Sequence, residues 1–173
     1  MSTIWVVSDV HGDSEVLKLF LDKATEEKAD LILCAGDVGL ESPGVGDLLA
    51  NRSIPFLSVR GNCDSPWGWE TWGLPIPPLY LVRDLNGREV FLTHGHRYAL
   101  PGDAGLDSSP GEIIITGHTH VPKLAKYKDT ILLNPGSIGR PRSFSGPTYA
   151  TITPESIRII NIKDNKTIRE QTL

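Results

Sequence analysis

The chain has 173 residues, of which 39% are hydrophobic and 22% charged, as in soluble globular proteins that bury a sizeable core. A formal net charge of −4 argues against broad contact with a nucleic-acid backbone, and no apolar run approaches the roughly 20 residues of a membrane span. The first residues lack a signal-peptide pattern, and the cysteines lack zinc-finger or redox spacing. We therefore expect a cytoplasmic protein without membrane contact.

The first half of the chain alternates predicted strands and helices. Continuous apolar runs predict three strands, at residues 4–8, 31–35 and 55–59. Asp13 or Ser14 can cap a helix whose apolar residues recur at helical spacing to about Lys28, and residues 45–51 predict a shorter helix. This alternation favours a parallel sheet with helices packed on its faces.

The second half is richer in short strands. They are predicted at residues 80–83, 90–93, 113–116, 124–127, 130–133, 149–152 and 156–162. The first two flank Asn86-Gly87, a strong hairpin signal. We predict one mixed α/β domain over residues 1–173 with two sheets, in which the first half of the chain is parallel-rich and the second half antiparallel-rich. No insertion is long enough for a cap domain, so a site at the strand ends should be open.

Candidate metal ligands follow five of the predicted strands. In chain order they are Asp9 with His11, Asp37, Asn62, His94, and His118 with His120. Because ligands bind at the carboxyl ends of strands in open α/β sheets, these side chains should converge. Every histidine of the chain lies in a D-V-H, H-G-H or H-T-H motif, and a glycine adjoins each candidate group, as tight strand-to-loop turns require.

The candidate ligands suit a pair of metal ions. Two carboxylates, one amide and four histidines are too many for a single zinc ion and about right for two ions that share a ligand. Because the set contains no thiolate, Mn²⁺, Fe, Zn²⁺, Co²⁺ and Ni²⁺ are compatible, whereas an all-oxygen Ca²⁺ cage is not. Two divalent ions, two carboxylates and a bridging hydroxide leave a positive balance, which favours an anionic substrate such as a phosphate ester.

The motifs together resemble those of a known family. They are S-D-V-H-G at 8–12, G-D at 36–37, G-N-C-D at 61–64, T-H-G-H at 93–96, G-H-T-H at 117–120 and N-P-G-S at 134–137. The series is similar to that of the calcineurin-like metallophosphoesterases, and of their small prokaryotic phosphodiesterase subfamily, from residue 4 to about 140. The resemblance implies a two-sheet β-sandwich flanked by helices.

The resemblance also implies a role for each ligand. Asp9, His11 and His120 would bind a first metal and Asn62, His94 and His118 a second, with Asp37 bridging both. Such enzymes typically use Mn²⁺ or another transition metal. Asp37 and Asn62 are therefore assigned to catalysis, together with His96, which would contact a ligand or the substrate. A plain structural hydrogen bond is an equal alternative for His96.

Cys63 stands where many members of the superfamily carry a histidine that can help the leaving group depart. A thiol is a poor proton donor for this task, and losing general acid catalysis costs a factor of about 10²–10⁴. This favours diesters with an acidic leaving oxygen and argues against a strong phosphomonoesterase. The alternative is that Cys63 only fills space.

Arginines and tryptophans surround the motifs. Arg60, Arg97, Arg140 and Arg142 are solvated loop residues, unless at least one of them contacts the phosphate of a substrate. Trp67, Trp69 and Trp72 follow G-N-C-D, where packing or dimerisation is favoured over stacking on a substrate.

The predicted function is hydrolysis of phosphate diesters by in-line attack of a hydroxide that bridges two metal ions. One alternative is a phosphomonoesterase with the same site. Another is a protein-binding scaffold such as the retromer subunit that resembles these enzymes, although degraded ligand positions mark that case and all seven positions are intact in this chain. The expected partners are a small phosphate ester and, as an open option, further copies of the chain.

Overall fold

The computed structural model describes residues 2–109 and 112–173, and its strands form two sheets. In chain order the strands are β1 (Ile4–Val7), β2 (Leu31–Cys34), β3 (Phe56–Ser58), β4 (Tyr80–Leu85), β5 (Arg88–Thr93), β6 (Ile113–Ile115), β7 (Lys123–Tyr127), β8 (Thr130–Asn134), β9 (Thr148–Ile152), β10 (Ser156–Asn161) and β11 (Thr167–Thr172). The first sheet has the order β11-β10-β9-β1-β2-β3, and the second has the order β4-β5-β6-β8-β7.

The helices follow the first three strands. They are α1 (Ser14–Glu26), α2 (Pro43–Ala50) and α3 (Pro66–Thr71), and a 3₁₀-helix spans Pro101–Ala104. Asp13 caps α1, because its side chain accepts a hydrogen bond from the backbone N–H of Val16 at 3.0 Å. In the described parts of the chain, no helix combines the length and apolar character needed to cross a membrane.

The first sheet lies between the helices and the second sheet. Trp5 of β1 packs with the helices, whereas its neighbours Ile4 and Val6 pack against the second sheet, because successive strand residues point to opposite faces. On the helix side, Trp5 stacks on Tyr149 with ring centroids 4.6 Å apart and meets Phe20 edge-on at 5.5 Å. The predicted mixed α/β fold, a β-sandwich flanked by helices, is confirmed.

Besides the 3₁₀-helix, one helix and one strand of the described residues were not predicted from the sequence. In α3, Ser65 accepts a hydrogen bond from the N–H of Gly68 at 3.2 Å and Pro66 opens the first turn, a start signal hidden among tryptophans. Strand β11 pairs with β10 at the edge of the first sheet. Its mostly exposed polar residues lack the apolar run that marks a buried strand.

The carboxyl ends of parallel strands meet at one end of the sandwich. β1, β2 and β3 are parallel neighbours in the first sheet, and β5 and β6 are parallel neighbours in the second. The loops that leave these strands carry every candidate ligand. Backbone hydrogen bonds join these loops, from Asp9 N–H to the carbonyl of Gly36 and from Gly117 N–H to the carbonyl of His94, both at 3.0 Å. The topology therefore brings the candidate ligands together.

Candidate metal centre

The ligand loops hold several non-glycine residues in left-handed backbone conformations. The φ angles are 54° at Asp9, 50° at His11, 55° at Asp37, 65° at His118 and 61° at His120. Each such residue costs on the order of 1–3 kcal/mol, and strain of this kind clusters at functional sites. The surrounding structure thus holds these candidate ligands in backbone conformations that are unfavourable for residues other than glycine.

Asp9, His11 and His120 form the first group of ligand atoms. Oδ1 of Asp9 lies 3.1 Å from Nε2 of His120 and 3.6 Å from Nε2 of His11. The two Nε2 atoms are 3.2 Å apart. Oδ1 of Asp9 is buried and has no hydrogen-bond partner among the described residues. Because an unpaired buried carboxylate oxygen is costly, this group fits a bound cation, and its nitrogen and oxygen atoms suit a divalent transition metal.

Asp37, His94 and Asn62 form the second group. Nε2 of His94 lies 3.3 Å from Oδ2 of Asp37 and 3.1 Å from Oδ1 of Asn62. The same Asp37 oxygen lies 3.6 Å from Nε2 of His11, which belongs to the first group. Asp37 therefore contacts ligands of both groups, as a residue shared between two ions would.

Backbone carbonyls orient two of the histidines. Nδ1 of His94 lies 2.6 Å from the carbonyl oxygen of Ala35, and Nδ1 of His120 lies 2.6 Å from that of Arg140. A carbonyl oxygen can only accept, so each Nδ1 donates, and in the neutral ring each Nε2 presents a lone pair toward the carboxylates. Metal-binding histidines are typically oriented in this way.

Asp37 and His94 stabilise each other's charged form. Burial alone would raise the pKa of Asp37, but hydrogen bonds from His94 and from the Cys63 backbone lower it well below its usual range. Burial would lower the pKa of His94, but its hydrogen bond to Asp37 and the charge of that carboxylate raise it. At His11, burial outweighs the nearby carboxylates and lowers the pKa. The carboxylate of Asp37 thus favours protonated His94, and a cation that binds there would compete with that proton.

Asp64 was not predicted as a site residue. Its buried carboxylate accepts hydrogen bonds from the backbone N–H groups of Asp37 at 2.8 Å, Val38 at 2.8 Å and Gly61 at 2.9 Å. These bonds tie the loop after β2 to the loop after β3 and so fix the backbone that carries Asp37. In the sequence, Asp64 is marked only by its place in the G-N-C-D motif. That place does not show whether a residue supports the ligands or is itself a ligand.

The N-P-G-S segment forms hydrogen bonds to the loops that carry the first group of ligands. The hydroxyl of Ser137 donates to the backbone carbonyl of Asp9 at 2.7 Å and accepts from the backbone N–H of Arg140 at 2.8 Å. Nδ2 of Asn134 donates to the carbonyl of Gly117 at 2.7 Å. The sequence singled out this segment only through its family resemblance, and the structure shows that it connects the loops after β1, β6 and β8.

His118 and His96 lie beside the second group, with exposed side chains. Their ring centroids are 5.2 Å and 5.3 Å, respectively, from that of His94. The backbone N–H of His118 also donates to Oδ2 of Asp9 at 3.1 Å. His118 is thus placed next to its predicted co-ligand His94, and His96 is placed at the rim of the centre. Metal binding by His118 and a catalytic contact by His96 stay predictions.

Cys63 contacts the centre through its backbone. Its N–H donates to Oδ1 of Asp37 at 2.8 Å, whereas its exposed side chain places Sγ 3.3 Å from Nδ2 of Asn62. Partial burial and the negative charge of Asp37 raise the pKa of the thiol to about 11. The thiol therefore stays protonated at neutral pH and is a weak acid.

One of the four arginines near the motifs stands out by its position. Arg140 lines an open cleft of about 380 Å³ whose wall also includes His11 and Cys63. Arg60, Arg97 and Arg142 do not belong to the described residues that line this cleft. Of these four arginines, Arg140 is thus the one on the wall of the cleft beside His11 and Cys63.

The tryptophans that follow G-N-C-D divide into packed and exposed residues. Trp69 is buried and Trp72 packs beside it against the core on the helix side. The indole N–H of Trp72 donates to the carbonyl of Leu40 at 3.2 Å. Trp67 on α3 is 67% exposed. The packing interpretation therefore fits Trp69 and Trp72, but not Trp67.

The family of the chain follows from its similarity to known proteins. The family model for the calcineurin-like phosphoesterase superfamily domain matches residues 2–156. The chain is a calcineurin-like phosphoesterase. The family expected from the sequence motifs is therefore confirmed, and with it a metal-dependent hydrolase.

This phosphoesterase resembles curated proteins over most of its length. It is 24% identical over 181 residues to "Phosphodiesterase YfcE" of Escherichia coli strain K12, which covers 98% of the chain and 97% of the relative. It is 32% identical over 172 residues to a "Probable metallophosphoesterase" of Methanothermobacter thermautotrophicus, which covers 94% of the chain and 87% of the relative.

Solved structures share the fold of this phosphoesterase. The structure of YfcE, a phosphoesterase from E. coli, gives a TM-score of 0.84 at 23% identity, with 98% of each chain covered. Wild-type Vps29 of Entamoeba histolytica, complexed with Zn²⁺, gives a TM-score of 0.68 at 20% identity, covering 99% of this chain and 98% of the other. The metallophosphoesterase fold is confirmed, with no cap domain within residues 2–109 and 112–173.

Proposed function

We propose that this phosphoesterase hydrolyses phosphate diesters with two divalent metal ions bound by the predicted ligands. The observation that carries the proposal is the position of Asp37. Its Oδ2 atom lies 3.3 Å from Nε2 of His94 and 3.6 Å from Nε2 of His11, so one carboxylate contacts both ligand groups. Asp9, His11 and His120 would hold one ion, and Asn62, His94 and His118 the other.

The ions and the chain would divide the chemistry between them. When bound, two divalent ions would supply a water nucleophile activated at neutral pH and neutralise charge on the phosphate. The chain orients the ligands through the carbonyls of Ala35 and Arg140, and Asp64 holds the backbone of Asp37. Mn²⁺ is the ion we propose first, with Fe, Zn²⁺, Co²⁺ and Ni²⁺ as alternatives that the same nitrogen and oxygen ligands accept.

Cys63 supports a preference for diesters over monoesters. Its thiol has a raised pKa and lies beside Asn62, so it is a weak acid at the place where a proton donor for the leaving group would be useful. Substrates with an acidic leaving alcohol depend least on such a donor. The name of the similar protein YfcE, a phosphodiesterase, agrees with this preference.

A protein-binding role is less well supported than catalysis. The likeness to Vps29 is at 20% identity and shows only a shared fold. Every candidate ligand position of this chain has kept its metal-binding residue, and the two close groups contain an unpaired buried carboxylate oxygen. Because that Vps29 structure is complexed with Zn²⁺, metal binding alone does not separate the two roles, and metal-dependent turnover is the deciding observation.

A metal-reconstituted activity screen tests the proposal. The chelated protein is loaded separately with Mn²⁺, Fe²⁺, Zn²⁺, Co²⁺ or Ni²⁺ and assayed with a bis-aryl phosphate diester and the corresponding aryl monoester. We expect turnover to require a metal and to favour the diester. Activity that persists after chelation, or inactivity with every metal, would overturn the proposal, and a preference for the monoester would favour the phosphomonoesterase.

Four further features stay predictions from the sequence. They are a small phosphate ester as the partner, the absence of extended nucleic-acid contact, a cytoplasmic location and a single domain over residues 1–173. Self-association remains an open option that size-exclusion chromatography with light scattering would decide.

A further inference from the structure

An open cleft adjoins the metal centre and carries opposite charges on its wall. It has a volume of about 380 Å³ and is lined by His11 and Cys63 of the centre together with Glu41, Ser42 and Arg140. A phosphate ester bound at the centre would extend its substituents into this cleft. The charged side chains of the cleft are therefore placed to select among phosphate esters.

The backbone of Arg140 is held in a fixed position relative to the first ligand group. Its N–H donates to Oγ of Ser137 at 2.8 Å, and its carbonyl accepts from Nδ1 of His120 at 2.6 Å. Ser137 in turn donates to the carbonyl of Asp9 at 2.7 Å. The backbone that carries the guanidinium is therefore hydrogen-bonded directly to His120 and, through Ser137, to Asp9.

The side chain of Arg140 is available to a ligand. It is exposed, and no hydrogen bond or ion pair within residues 2–109 and 112–173 engages its guanidinium. Arg158, by contrast, is paired with Glu170 at 2.7 Å. A free guanidinium beside a metal centre matches the non-bridging oxygens of a phosphate, which it can bind through two parallel N–H groups.

Glu41 gives the same cleft a fixed negative charge. Its Oε1 accepts a hydrogen bond from the hydroxyl of Ser65 at 2.9 Å, and that hydroxyl also accepts from the N–H of Gly68 at the start of α3. The carboxylate is thus anchored to α3. A second negative charge on the substrate, as on a phosphomonoester above a pKa near 6 or on a polyphosphate, would be repelled.

We propose that Arg140 and Glu41 together make the cleft selective for phosphodiesters with uncharged substituents, an inference that rests on the proposed function. Arg140 binds a non-bridging oxygen of the singly charged phosphate. Glu41 disfavours dianionic monoesters and substituents that carry further phosphates. Arg140 is thus the arginine that contacts substrate, and Glu41 determines which charge the substrate can carry.

The role of Arg140 is tested by Arg140→Ala, with Arg142→Ala as a matched loss of charge in the same loop and Arg140→Lys as the conservative variant. Loss of a charge-assisted hydrogen bond should weaken inorganic phosphate binding to the metal-loaded protein, and raise KM for a diester, about 10- to 100-fold. Arg142→Ala should change neither, and Arg140→Lys should restore part of the loss. Bound metal, measured by elemental analysis, should stay constant. Equal behaviour of Arg140→Ala and Arg142→Ala would overturn the assignment.

The role of Glu41 is tested by Glu41→Gln, which keeps an acceptor for Ser65 but removes the charge. The control is Glu155→Gln, in the turn between β9 and β10 at the opposite end of the sheet. We expect Glu41→Gln to raise kcat/KM for an aryl monoester relative to a diester about threefold or more at low salt, and high salt to reduce this gain. A ratio equal to that of Glu155→Gln would overturn the charge-selection role.

The readouts separate failure of this inference from failure of the proposed function. In one outcome, the wild-type protein hydrolyses no ester with any metal, yet it binds phosphate and Arg140→Ala does not. The enzymatic proposal then fails and the anion contact stands. If the wild-type protein hydrolyses diesters while Arg140→Ala binds phosphate as tightly as Arg142→Ala does, the function stands and the inference fails.

Discussion

At the scale of single residues, Asp37 joins the two halves of the candidate centre. One of its oxygens faces His94 and His11, and the other accepts the N–H of Cys63 at 2.8 Å. Removing the charge of Asp37 should therefore harm both halves at once.

The variant Asp37→Asn should be the most damaging single ligand substitution. We expect metal content to fall for both ions and kcat to fall by at least about 100-fold, because a shared anionic ligand becomes a neutral one. Elemental analysis and diester turnover give the measurement, and Asp129→Asn in the exposed β7–β8 turn is the control. A variant that keeps two ions and near-normal activity would contradict a bridging role.

The variant Cys63→His should raise turnover of aryl monoesters relative to diesters. Imidazole can donate a proton to a poor leaving group, an effect of up to about 10²–10⁴, whereas the Cys63 thiol is a weak acid with a pKa of about 11. The backbone N–H to Asp37 is unaffected by this change. Cys63→Ser is the control without a new acid, and a monoester-to-diester ratio that does not differ between the two variants would disprove this account of the cysteine.

Metal binding should strengthen as the pH rises through the raised pKa of His94. In the metal-free protein, the His94–Asp37 pair stabilises the fold below the ordinary histidine pKa of about 6.5 and loses this contribution as His94 deprotonates. A metal needs the neutral ring and must release that proton. Calorimetric titration with Mn²⁺ at several pH values, in buffers of different ionisation enthalpy, should show proton release. Affinity that does not change with pH would contradict this coupling.

At the scale of elements, the site depends on close approach of the loops that follow β2 and β3. A Cβ added at Gly61 would lie 2.0 Å from Oδ1 of Asp37, and one added at Gly36 would lie 2.7 Å from the backbone nitrogen of Gly61. Asp64 bonds to backbone N–H groups of both loops. The two loops thus behave as one unit that positions Asp37.

Gly61→Ala should displace the Asp37 carboxylate without changing any ligand. We expect weaker metal binding and an activity loss of about 10- to 100-fold, comparable to loss of a residue that supports a metal ligand. Gly102→Ala, where an added Cβ meets nothing within 4 Å, is the control. Metal affinity in Gly61→Ala equal to that of the control would show that the loops can separate without consequence.

At the scale of the whole molecule, the candidate centre links the two sheets. Asp9, Asp37 and Asn62 follow strands of the first sheet, and His94, His118 and His120 follow strands of the second. The core between the sheets is apolar, with residues such as Val6 and Leu92 packed across it. Bound ions would therefore connect the two sheets at one end of the sandwich, in addition to the hydrophobic packing between them.

Metal removal should lower the melting temperature without unfolding the protein. At a metal concentration about 100-fold above Kd, binding stabilises by about 2.7 kcal/mol, which corresponds to roughly 5–10 °C for a chain of this size. Calorimetry with Mn²⁺ and after chelation measures the difference, and Asp37→Asn should reduce it. Unfolding on chelation would show that the apolar core alone does not keep the protein folded. An unchanged melting temperature would argue against metal binding between the two sheets.

Sequence by itself determined the family, the strands that carry the site and the set of candidate ligands. Asp9, Asp37 and His94 each follow an apolar run, and that order is visible because buried parallel strands are continuous apolar segments. Strand β11 was missed, because an exposed edge strand needs no such run.

Tertiary structure alone decided which polar residues support the ligands. Asp64 acts by accepting N–H groups of Asp37 and Val38, far away in the chain, and Arg140 was one arginine of four until the fold placed it on the cleft. The physical reason is that a ligand is marked by its own chemical type and its place after a strand. A supporting residue or a cleft residue is defined by the groups that it contacts in the folded protein, and only folding brings those groups together.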